Sequence, residues 1–130
     1  MYEYKAIVKK VYDGDTITVD IDAGFDIWVR NVSIRLNHID SPELKSKNEL
    51  EAKAGKKVQE ILSKILLDKS IIIKTSKDKN DKFGRLLGEI SHLGFDINAH
   101  LINQGLVKRY EGDKKTLWTN EELIKIIDYK

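Results

Sequence analysis

The sequence predicts an α+β domain that is mainly β, a five-stranded Greek-key barrel with about three helices packed on it. Three observations carry that expectation. Apolar residues alternate with period two through much of the first 36 residues, a long stretch of period 3.6 follows, and two further β-rich runs precede two short helical segments. At 130 residues and 41% apolar side chains the chain can fill one hydrophobic core and not two, so 1–130 is read as a single domain.

The elements follow in order. Residues 4–11 are rich in apolar and β-branched side chains and end at Asp13-Gly14-Asp15, which has the chemistry of a turn. Over 16–22, Ile17, Val19 and Ile21 alternate with Thr16, Thr18, Asp20 and Asp22, the pattern of a half-buried strand. Gly24 breaks it. Alternation resumes at Ile27 and Val29, changes phase near Asn31 and continues through Val32, Ile34 and Leu36, which predicts a bend or bulge at Arg30-Asn31. Leu50, Ala54, Val58, Ile61, Leu62, Ile65 and Leu66 form one stripe of an amphipathic helix over 49–67. Ile71-Ile72-Ile73 reads as a short buried strand, 77–82 as a polar turn and 85–91 as the fifth strand. Asp96 suits the N-cap of a helix that runs to Gln104 and stops at Gly105. Thr119 and Glu122 have capping-box spacing for a last helix that uses Leu123, Ile124 and Ile127. Three strands, a long helix and two strands is the order of an OB-type barrel.

Composition narrows the function classes. Without Cys there is no disulfide and no thiolate metal site, so any metal takes oxygen or imidazole ligands. His38, His92 and His100 are scattered without ligand spacing, which leaves carboxylates. The net charge of +2, from 23 basic and 21 acidic residues, is too balanced for a protein that passively coats nucleic acid. No stretch suits a membrane span, and Met1-Tyr2-Glu3-Tyr4-Lys5 lacks the apolar core of a leader. The sequence as written is therefore expected in the cytoplasm, or outside the cell if a cleaved leader preceded it. No membrane and no obligate protein partner is implied, and a monomer is expected.

The chemistry lies in three short segments. Asp13-Gly14-Asp15-Thr16 sets two carboxylates about a glycine, able to offer oxygens to a hard cation and equally able to be an ordinary hairpin turn. In Arg35-Leu36-Asn37-His38-Ile39-Asp40-Ser41-Pro42-Glu43 an arginine at a strand end precedes two carboxylates stiffened by proline; these charges could also simply pair in solvent. Lys82-Phe83-Gly84-Arg85 places a second arginine at the start of a strand. Each is bland alone. Together they supply what phosphodiester cleavage requires: carboxylates for a divalent cation and for water, and guanidinium forks for phosphate oxygens.

At these segments, and at Asn103-Gln104-Gly105-Leu106, the chain resembles the staphylococcal (micrococcal) nuclease family along nearly its whole length. The resemblance implies a Ca²⁺-dependent nuclease acting on DNA or RNA, in which water attacks phosphorus, the 5′ oxygen leaves and 3′-phosphate ends remain. It implies Asp15, Asp40 and the Ser41 carbonyl as metal ligands, Glu43 as the residue that orients or deprotonates water, and Arg35 and Arg85 as the phosphate grip. Asp13 is expected just behind the ligands. Lys82, Phe83, Tyr110 and Trp28 are weaker candidates for substrate contact, Trp28 through stacking on a base. Phe83 departs from the family pattern, which has a Tyr there, and the hairpin between Thr16 and Arg35 is longer than in the founding members. The alternatives are a catalytically inactive nucleic-acid-binding module on the same barrel and a protein-interaction module. The joint presence of Asp15, Arg35, Asp40, Glu43 and Arg85 speaks against both.

Overall fold

A computed structural model describes residues 2–80, 84–112 and 116–130, with the side chains of 76–80 left out of the description. The strands are β1 (Tyr2–Asp13), β2 (Thr16–Asp22), β3 (Trp28–Leu36), β4 (Ile39–Asp40), β5 (Ser70–Asn80), β6 (Leu86–His92), β7 (Phe95–Asp96) and β8 (Lys108–Arg109). The helices are α1 (Glu49–Leu66), α2 (Ile97–Asn103) and α3 (Asn120–Ile127). The main sheet has the order β3-β2-β1-β5-β6-β7, with antiparallel neighbours. A short parallel contact, Ile34–Leu36 of β3 against Leu86–Gly88 of β6, closes β1, β2, β3, β5 and β6 into a barrel. This is the predicted five-stranded barrel with three helices, with β7 as an added strand and β4–β8 as a separate two-stranded ribbon.

The bulge falls where the phase change placed it. Val19 pairs with Val32 and Ile21 with Val29, so Asp20 faces both Arg30 and Asn31. Asn31 adopts the left-handed φ of 57°. Its N–H donates to Asp20 Oδ1 at 3.0 Å while Arg30 Nη1 holds Oδ2 at 2.8 Å, so a buried carboxylate organises the extra residue. Those donors hold the Asp20 pKa below the ordinary carboxyl value, the Asn31 N–H contributing most and Arg30 next.

Residues Ile17, Ile34, Leu36, Ile73 and Ile90 fill the barrel, and Leu62, Leu66, Leu101, Leu123 and Ile126 bring the helices onto the same core. Burying each such side chain contributes about 1.5–3 kcal/mol. Helix α1 packs on β1 and α3, and α2 packs on β6. Asn48 caps α1 by accepting from Leu50 N and Glu51 N, Asp96 caps α2, and Thr119 with Glu122 forms the predicted capping box of α3. Gly105, at φ 74°, follows the C-cap of α2.

Three expectations change. The strand beginning at Ile71 does not end before a turn at 77–82 but continues to Asn80, which pairs with Leu86 of β6 beyond a register irregularity after Thr75. Ile27 and Val29 are exposed rather than core. The cause is that β6 meets β3 only over Ile34–Leu36, which leaves the first half of β3 as an open edge. On α3 the core side is Leu123 and Ile126 with Ile127 partly buried, while Ile124 sits about 100° round the helix from Leu123 and is exposed.

Candidate active site

Five chain segments meet at the closed end of the barrel. The β1–β2 turn brings Asp13 and Asp15, the end of β3 brings Arg35, β4 brings Asp40 with Ser41 behind it, the start of β6 brings Arg85, and the residue after β8 is Tyr110. Gly14 permits the approach by lacking a side chain. A Cβ there would collide with Val58 of α1 and stand 2.7 Å from the Ser41 Cβ, so the turn can press against both only as glycine.

Asp15 is the hub. Its Oδ2 accepts from the Ser41 N–H at 3.0 Å and the Ser41 hydroxyl at 3.2 Å, and its Oδ1 accepts from the Thr16 hydroxyl at 3.1 Å. Arg35 Nη2 lies 3.6 Å from Asp15 Oδ2 and 3.5 Å from Asp40 Oδ1. Its Nη1 donates to the Leu36 carbonyl at 2.8 Å, and the guanidinium stands 5.7 Å from the Tyr110 ring centroid. Tyr110 is fixed in turn by its own N–H, which donates to the His38 carbonyl at 2.9 Å. Arg85 Nη1 donates to the Thr16 hydroxyl at 3.0 Å, so this one hydroxyl links the second arginine to Asp15.

The electrostatics are those of crowded carboxylates. Burial pushes Asp13 up to about 7, with Asp15 adding repulsion. Burial also raises Asp40, again helped by Asp15, despite the opposing effects of Thr116 and Arg35. Burial acts upward on Asp15 too, but Arg35 and the donors around it bring it below the ordinary carboxyl range. Asp15 thus carries a firm negative charge beside two carboxyls that ionise with difficulty. Such a set favours a cation.

Glu43 stands two residues beyond Ser41 on an exposed turn. Its N–H donates to Glu51 Oε2 at 3.0 Å, and Gly55 of α1 lets the turn lie close, because a Cβ there would sit 2.7 Å from the Pro42 carbonyl oxygen. Among the described residues no three His, Cys, Asp or Glu side chains converge on one point. Asp15 and Asp40, which share Arg35 Nη2, are the carboxylates here that could offer oxygens to a hard cation.

The structure therefore gathers Asp13, Asp15, Arg35, Asp40, Ser41, Arg85 and Tyr110 into one contact network. It sets Trp28 at the other end of β3, seven residues or roughly 20 Å from Arg35. Lys82 and Phe83 lie outside the described residues. Thr16 and the close-packed Gly14 and Gly55 had no assigned role in the sequence. The only hint for Thr16 was its place beside Asp15, and for Gly55 a glycine inside a helix where alanine is ordinarily better by about 1 kcal/mol.

An acidic cluster braced by two arginines at the end of a closed five-stranded barrel defines the class. Comparison then fixes the family: residues 33–127 match the family described as "Staphylococcal nuclease homologue", and the chain belongs to it. The chain is 32% identical over 116 residues to Endonuclease YhcR of Bacillus subtilis (strain 168), covering 83% of this chain and 9% of that protein. It is 30% identical over 103 residues to a Thermonuclease of Staphylococcus intermedius, covering 78% of this chain and 57% of the relative. A Thermonuclease of Staphylococcus hyicus is 29% identical over 106 residues, covering 81% of this chain and 57% of its own length. The chain spans little more than half the length of the thermonucleases and about a tenth of the endonuclease. Among the described residues no helix is long and apolar enough to cross a membrane.

Proposed function

We propose that the chain is a calcium-dependent phosphodiesterase that hydrolyses DNA or RNA and leaves 3′-phosphate ends. The observation that carries this reading is the junction of Asp15, Asp40 and Arg35, where two carboxylates lie within 3.6 Å of one guanidinium nitrogen. Family membership and relatives named as nucleases support it.

Asp15, Asp40 and the Ser41 carbonyl would hold the calcium ion. Bound there, the ion supplies positive charge to the phosphate and makes water a better nucleophile. Arg35 and Arg85 engage the phosphate oxygens, where planar forks match the charge that grows as phosphorus becomes five-coordinate. Glu43, two residues past Ser41, accepts a proton from the attacking water. The bond from phosphorus to the 5′ oxygen breaks, that oxygen takes a proton from solvent, and the phosphate stays on the 3′ side. Asp13 accepts the Asp15 N–H at 3.0 Å and so holds the turn from behind.

The test compares Glu43→Gln with Asp40→Asn. Glu43→Gln should retain nucleotide and Ca²⁺ binding and lose about 10²–10⁴-fold in turnover, the usual worth of a general base. Asp40→Asn should weaken Ca²⁺ binding and recover part of its activity as metal is added. Equal, metal-independent activity in both variants would contradict these roles.

A further inference from the structure

The β2–β3 hairpin carries a second feature far from the acidic cluster. Thr16, Thr18, Asp20 and Asp22 alternate with the core residues Ile17, Val19 and Ile21, so they share the opposite face of β2. Thr16 pairs with Arg35, Thr18 with Ser33 and Asp22 with Trp28, the Arg30-Asn31 bulge lying opposite Asp20. One polar face therefore runs from the cluster to Trp28, six residues or roughly 20 Å along β2.

At its far end lies a cavity of about 410 Å³ whose lining includes Lys5, Asp22, Trp28, Ser70, Ser91 and Leu93. Strand register sets Trp28, Asp22, Lys5, Ile72 and Ser91 in one row across β3, β2, β1, β5 and β6. The size suits a small ligand. The lining joins an indole and aliphatic side chains, Leu93 and Ile72 among them, to two hydroxyls, an ammonium and a carboxylate, which is the chemistry that holds a flat ring with a hydrogen-bonding edge.

Charge points the same way. Arg30 stacks 5.5 Å from the Trp28 ring while neutralising Asp20 at 2.8 Å, so the face between cavity and cluster is not closed to phosphates. Phe25, on the loop before Trp28, and Leu93, on the cavity wall, are 98% and 84% exposed, so two further apolar side chains stand open to solvent at this end of the barrel.

We propose that this cavity is a distal base subsite: it takes one unstacked nucleobase of a single strand whose scissile phosphate lies at the Asp15–Arg35 cluster. It rests on the nucleic-acid reading above. Barrels of this type hold about 4–16 nucleotides of single strand, enough to reach from the cluster to the cavity.

The chain has two tryptophans, so Trp118→Phe leaves Trp28 as the sole indole reporter. With a chelator present to prevent cleavage, a single-stranded octanucleotide should alter Trp28 emission and bind more tightly than a dinucleotide. Adding Trp28→Ala should weaken octanucleotide binding by about 5- to 150-fold, the effect of one stacked base, bringing its affinity toward that of the dinucleotide. Trp28→Phe should keep most of the affinity. A duplex of the same length should leave the emission unchanged. If the octanucleotide binds without altering Trp28 emission and Trp28→Ala binds it equally well, the distal subsite is wrong while the nucleic-acid reading stands. If no oligonucleotide binds, both fail. A dimer that Trp28→Ala converts to monomer would make the cavity an interface between copies and overturn the subsite.

Discussion

At Arg35 one Nη2 faces Asp15 and Asp40 at 3.6 and 3.5 Å, distances at which attraction is Coulombic rather than hydrogen-bonded. A lysine could supply the charge but not the fork. Arg35→Lys should therefore fold normally and lose most turnover, read as kcat with Tm unchanged within a few degrees; full activity would remove Arg35 from the site. Thr16 makes a sharper case, since its hydroxyl both donates to Asp15 and accepts from Arg85. Thr16→Val should cost about 1–3 kcal/mol of stability and lower turnover, whereas Thr16→Ser should retain both. Asp15, Arg35 and Asp40 were legible in the sequence as carboxylates and an arginine gathered at strand ends, while their separate roles came from the family resemblance. The bridge made by Thr16 was not, because its partners stand 1 and 69 residues away and nothing local marks the second.

At the scale of elements, α1 was legible in full from its stripe, yet its contribution to the site lies in the residue the stripe omitted. Gly55 is buried, and a Cβ there would meet the Pro42 carbonyl oxygen, the Glu43 carbonyl carbon and the Leu44 nitrogen at 2.7, 3.0 and 3.0 Å. These are backbone atoms that cannot turn aside. Gly55→Ala gains about 1 kcal/mol of helix propensity but overpacking costs about 1–3 kcal/mol. The variant should be no more stable than the parent in thermal melts and should lose activity through displacement of Glu43; a stabilised, fully active variant would separate α1 from the site. The β4–β8 ribbon is similar. Asp40 pairs with Lys108, whose Nζ holds Glu122 at 2.8 Å, so the capping box of α3 helps fix a carboxylate of the cluster. Two-residue strands have no period to read, and neither strand of this ribbon was foreseen.

For the whole molecule, the barrel followed from the order of elements, but its closure did not. That closure is a three-residue parallel contact, and it also explains why the other end of β3 stays open. Closing the barrel crowds carboxylates, with a consequence for pH. Asp13 is raised to about 7 from an ordinary value of 3.8, so the native state holds this proton more tightly than the unfolded chain. Its contribution to metal-free stability is full below the ordinary value and is lost as pH rises toward 7. Asp13→Asn should therefore become more stable than the parent, by about 1–2 kcal/mol, as pH increases over that window in chelator. A constant difference from pH 4 to 8 would contradict it. The same crowding should let Ca²⁺ raise the melting temperature of the parent, and less so that of Asp40→Asn. Whether these carboxylates and arginines cut phosphodiester bonds with calcium is decided by incubating labelled DNA and RNA with the purified protein. Cleavage to fragments with 3′-phosphate ends in Ca²⁺, abolished by chelator, is the predicted result; binding of either nucleic acid without cleavage at any Ca²⁺ concentration would contradict it.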